Sequence, residues 1–174
     1  MPIPSEFSRP LPPDAVPLQG ATVQLVATRE ECSALAARFD LAALERLEGK
    51  VRIELADAAN TIHVAGRLEA DVIQTCVVTL EPVPAHVEVQ FDRLFSRDVP
   101  AEAHGEVEID PEAEMPEPLA GDKLDLGEIL AEELSLALDP YPRSAAADAH
   151  MAQFAAEEGG GRLPFAALGA LRRN

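Results

Sequence analysis

The chain has 174 residues, 47% of them hydrophobic, enough for one ordinary domain with flexible ends. Its formal charge of −17 gives a surface that on average repels phosphate backbones and anionic headgroups, so nucleic-acid or membrane-surface binding by the molecule as a whole is excluded. No apolar run approaches the roughly 18–20 residues that cross a bilayer, the first residues lack the basic start and apolar run of an export signal, and two cysteines make no disulfide framework. A cytoplasmic protein with reduced thiols is expected, with no membrane contact.

Residues 1–18 carry Pro2, Pro4, Pro10, Pro12, Pro13 and Pro17, which fix φ and remove amide donors, so they read as an extended arm. Ala21–Ala27 is rich in strand formers and hands over at Thr28, which with Glu31 forms a capping box at the start of a first helix. Cys32, Leu35, Ala36 and Phe39 give that helix one buried stripe. Asp40 is placed to cap a second short helix carrying Leu41, Leu44 and Leu47.

After Gly49, Val51, Ile53 and Leu55 alternate with Lys50, Arg52 and Glu54, the period of a strand with one wet face. Asp57–Asn60 marks a turn. A second strand follows through Ile62, Val64, Leu68, Val72 and Ile73 to Cys76 and Val78. The run from His86 to Phe91 alternates again, and Leu94 and Phe95 suggest a change of phase such as a bulge. Connections this short favour an antiparallel meander.

Residues 98–121 are mostly acid, proline and alanine, the composition of a mobile acidic loop, with Val107 and Ile109 able to pair on an edge. Asp125 and Glu128 then make a second capping box for a helix over Leu126–Leu138, whose stripe is Leu126, Ile129, Leu130, Leu134 and Leu138. Pro140 and Pro142 forbid its continuation. The expected fold is therefore α+β, an antiparallel β-meander sheet or small open barrel packed by two short N-terminal helices and one C-terminal helix. Residues 19–143 form its single domain, and residues 144–174 form a flexible tail jointed at Gly159–Gly161. In that tail Phe165, Leu168 and Leu171 share a face beside Leu163, and the end is basic, a short element suited to docking on a partner or on its own sheet.

No catalytic constellation is visible. Cys76-Val77-Val78-Thr79 stops one thiol short of a paired motif, and His63, His86, His104 and His150 form no pair at helical spacing, so neither a metal nor any other cofactor is expected. No glycine-rich phosphate loop or nucleophile elbow is present. Carboxylates in a proline-rich loop stay wet and unperturbed, unlike catalytic acids. For RNA, Lys50, Arg52, His63 and Arg67 can share the outward face of neighbouring strands, with Arg93 and Arg97 on the next. One tyrosine and no tryptophan leave few platforms for stacked bases.

Three stretches carry a resemblance. Residues 64–83, centred on Cys76, Leu80, Glu81 and Pro82, resemble the central signature of the YceD family, the bacterial large ribosomal RNA subunit accumulation proteins. Residues 124–142 are similar to that family's closing acidic helix and proline exit, and residues 163–168 to the Pro-Phe tail of many members. The resemblance implies a role in accumulation of the large-subunit ribosomal RNA. It supplies no catalytic residue. Thr79 stands where the family often has a second cysteine, which removes the thiol pair that a zinc or redox role would use. Two non-enzymatic mechanisms follow: binding of a basic ribosomal protein or assembly factor by the acidic surface, or direct ribosomal RNA binding by the basic strand face.

Overall fold

The computed structural model describes residues 5–56, 61–96, 116–119 and 123–158. In chain order the elements are β1 (Pro10–Leu11), β2 (Ala21–Val26), α1 (Arg29–Arg38), β3 (Ala43–Ala56), β4 (Thr61–Thr75), β5 (Pro82–Ser96), β6 (Glu117–Pro118), β7 (Leu124–Asp125), α2 (Leu126–Ala137) and α3 (Ala147–Glu158). The chain divides into two compact units, one of Met1–Ile73 with Pro84–Leu138, the other of Gln74–Val83 with Asp139–Asn174.

The first unit is α+β. Its five-stranded sheet runs in the order β2-β3-β4-β5-β6, with antiparallel pairing of β2 to β3 and of β3 to β4 and parallel pairing of β5 to β6. Among the described residues it ends at β2 and β6. The wholly antiparallel meander is corrected at its last strand. Alternation does the sorting: Val51, Ile53, Val64 and Leu68 are fully buried, while Lys50 and Arg52 between them are exposed.

Thr28 accepts from the Glu31 amide while the Glu31 carboxylate accepts from the Thr28 amide, the expected box. The second N-terminal helix does not exist: Leu44 and Leu47 lie in β3. Asp40 takes a left-handed φ of 54° directly after α1, so it reverses the chain instead of capping a new helix. A register shift between Leu44 and Arg46 then turns both Leu44 and Leu47 inward, which imitates helical spacing on a strand.

Helix α2 covers the inward face of the sheet, and the absence of a side chain at Gly49 admits Leu130. Leu126, Ile129, Leu130 and Leu134 are buried, as their spacing requires. Asp125 accepts from the amides of Gly127 and Glu128, but the Glu128 carboxylate binds Arg38 and Ser5, so this cap is one-sided. The N-terminal arm is part of the core rather than a loose extension. Phe7 is fully buried, β1 pairs with β7, and the Arg9 amide donates to Asp125 at 2.7 Å. The acidic segment lies outside the described residues except for 98–121's own residues 116–119, where β6 pairs with the end of β5.

In the second unit α3 forms where no patterned helix was expected. The expected tail element at residues 163–171 lies outside the described residues.

Candidate functional site

The outward face of the sheet carries the charged residues that alternate with its core. Register places Lys50 beside Arg67 and Gln24, Arg52 beside Ala65 and Thr22, and Glu54 beside His63. Lys50, Arg52, His63 and Arg67 therefore do share one face. They do not share it alone. Arg52 pairs with Glu54, Arg67 with Glu69 at 2.8 Å and Glu88 at 3.2 Å, and His63 with Asp92 at 2.6 Å. Arg46 binds Glu48 and Asp71, and His86 binds Asp71 at 2.7 Å. Carboxylates outnumber full cations across the face, and Lys50 alone of those cations has no ion-pair partner among the described residues.

Arg93 is not on this face. It has the same strand parity as the buried Phe91 and Phe95, and its side chain is only 17% exposed. There it binds Glu117, Glu132 at 2.7 Å and Glu133 at 3.6 Å, one cation inside three carboxylates. Desolvation pushes the Glu133 carboxyl up, against the pull of Arg93. Arg97 lies outside the described residues, as do Leu163, Phe165, Leu168 and Leu171.

Within the second unit, Cys76 is fully buried and its sulfur accepts from the amides of Ser144 at 3.2 Å, Thr79 at 3.3 Å and Val78 at 3.4 Å. Burial pushes the thiol up, but the Thr79 side chain and the amides of Ser144, Thr79 and Val78 outweigh it and hold the thiol down to about 6. Glu81 closes the cluster by accepting from Thr79 Oγ1 at 2.9 Å and Ser144 Oγ at 2.7 Å, and these two hydroxyls hold its carboxyl below the ordinary range. Leu80 sits in the turn at a left-handed φ of 62° with 77% of its surface exposed, and Pro82 opens β5.

The signature residues thus surround the Cys76 sulfur with backbone donors that hold its thiol down. The sulfur is sealed from solvent, and Thr79 and Ser144 add hydroxyls to the cluster. Cys32, by contrast, is buried on α1 and desolvation pushes its thiol up. Among the described residues no three histidine, cysteine or acidic side chains converge as metal ligands, and no helix is long and apolar enough to cross a membrane. The amide cradle of Cys76 escapes a reading of the sequence because Ser144 is 68 positions away; the parity of Arg93 with Phe91 was a legible signal.

Residues 64–172 match a family model described as large ribosomal RNA subunit accumulation protein YceD. No curated protein and no solved structure matches the chain.

Proposed function

Since the chain belongs to the YceD family of large ribosomal RNA subunit accumulation proteins, we propose that it serves that role without catalysis, by holding a basic protein partner such as a ribosomal protein or assembly factor. The observation that carries the reading is the sheet face: Arg52 and Arg67, candidates for RNA contact, are already bound to carboxylates, and acids are in excess there among the described residues. A polyanion approaching such a face meets net repulsion, whereas a cationic surface meets complementary charge that speeds encounter and fixes orientation. The sealed Cys76 sulfur supports the non-catalytic half of the reading, because a nucleophile has to reach its substrate.

The test is affinity capture from lysate with and without nuclease. Basic proteins that stay bound after nuclease treatment support the reading. If capture yields RNA alone and nuclease releases everything, the strand face binds ribosomal RNA directly and the protein-partner reading fails.

A further inference from the structure

Strand β2 is an end strand of the five-stranded sheet, and its composition does not protect it. Exposed sheet edges are ordinarily blunted by charge, proline or a bulge, since their free amides template pairing with another chain. Ala21–Val26 has none of these, in a chain where 26% of residues are charged. The free groups can be named. The Ala27 amide donates to the Leu47 carbonyl at 2.9 Å, so Leu25, Val23 and Ala21, at alternate positions, bond to β3. The amides and carbonyls of Thr22, Gln24 and Val26 consequently point off the sheet, where they have no partner among the described residues.

Charge beside this edge selects the occupant. A groove of about 580 Å³ on the outward face is lined by Thr22, Gln24, Lys50, Arg52 and Arg67, with carboxylates towards its Val26 end. Lys50 has no ion pair among the described residues, and its cross-strand neighbours are Arg67 on one side and Gln24 on the other. Strands lie about 4.8 Å apart, so a residue on an added strand stands roughly 10 Å from the Lys50 backbone, within the joint reach of a lysine and a glutamate. Arg52 is placed likewise behind Thr22 and is 57% exposed in its ion pair, a kind worth at most about 1 kcal/mol and readily exchanged.

We infer that β2 is a strand-addition site for an extended acidic segment of a protein partner, whose backbone pairs with Thr22, Gln24 and Val26 and whose carboxylates meet Lys50 and Arg52. This goes beyond the proposed function, since it concerns the free edge of β2 and the two cations of the sheet face nearest to it, and an oppositely charged ligand.

The probe is a fluorescent octapeptide of alternating valine and glutamate, compared by anisotropy with its valine–lysine counterpart and with a version N-methylated along one edge. The full chain binds the acidic peptide saturably and neither of the others. Gln24→Pro deletes only an outward donor, which an edge strand tolerates, and it weakens binding by about tenfold, the equivalent of one or two lost hydrogen bonds. Lys50→Glu reverses the preference between the two charged peptides. Slower hydrogen exchange at Thr22, Gln24 and Val26 of the unaltered chain on adding peptide supports the site without any substitution. The inference is overturned if no peptide binds, if the lysine peptide binds equally, or if Gln24→Pro keeps its melting curve and its affinity. It is also overturned if light scattering finds a dimer that Gln24→Pro dissolves, which assigns the edge to a second copy.

Discussion

Gly127, in the first turn of α2, lies so close to the backbone of Phe7 that a methyl group on its Cα would collide with the Phe7 carbonyl. The N-terminal arm and α2 therefore fit together as one packed layer, and Gly127 is required by close approach rather than by backbone conformation. Gly127→Ala has to push the arm away, so we expect a loss of about 1–3 kcal/mol in denaturant unfolding. Phe7→Ala empties a fully buried site, with an expected loss of about 3–5 kcal/mol. If either variant unfolds at the midpoint of the unaltered chain, the arm is not part of the core.

Cys76 makes stability depend on pH. Its folded pKa is depressed to about 6, so the unfolded chain binds more protons between that value and the ordinary thiol range. Its contribution is fully present above the ordinary thiol range and is lost as pH falls through about 6. Thermal melts of the unaltered chain and of Cys76→Ser should accordingly diverge as pH rises across this window. Thiolate absorbance should titrate near the same pH and vanish in the variant. Curves that stay parallel would show the sulfur to be an ordinary buried thiol.

Removing Arg93 should show the same direction of pH dependence, in a more acid range. Arg93→Met leaves Glu117, Glu132 and Glu133 facing one another, and at neutral pH we expect it to cost about 1–3 kcal/mol, between the values for exposed and buried pairs. The carboxyls of the variant take up protons as pH falls, so the cost should shrink in the acid range. Glu133 itself has a raised folded pKa, so its favourable contribution is greatest at low pH and is lost as pH rises through the carboxylate range. Glu133→Gln is thus expected to be neutral or stabilising at neutral pH by chemical denaturation, and a large loss would show that its contact with Arg93 dominates.

Leu80 holds a left-handed φ, which costs a side-chain-bearing residue roughly 1 kcal/mol. Leu80→Gly relieves that strain, while glycine gives back part of the gain through unfolded-chain entropy. We expect a melting temperature equal to or above that of the unaltered chain, and a clear drop would show that the turn requires the leucine side chain.

What the sequence discloses follows from how local each signal is. Val51, Ile53 and Val64 alternate with polar neighbours, and Thr28 and Glu31, three positions apart, cap a helix, so these features need no tertiary knowledge. The false second helix shows how a bulge defeats a periodicity argument, because one extra residue between Leu44 and Leu47 converts a spacing of two into three. Pro10 and Leu11 pair with residues of β7 more than a hundred positions away, and such short strands carry no pattern of their own. The charged face was legible in its cations but not in their partners. That Glu69 and Glu88 meet Arg67, and Asp92 meets His63, emerges only once register is known.

The proposed function requires this protein to grip cationic protein and not RNA. Titrating the purified chain at physiological salt with protein-free large-subunit ribosomal RNA, and separately with the basic proteins extracted from large subunits, tests it most directly. Saturable binding to at least one of those proteins and none to the RNA is expected. Tight RNA binding that falls steeply with added salt, with no protein bound, would contradict it.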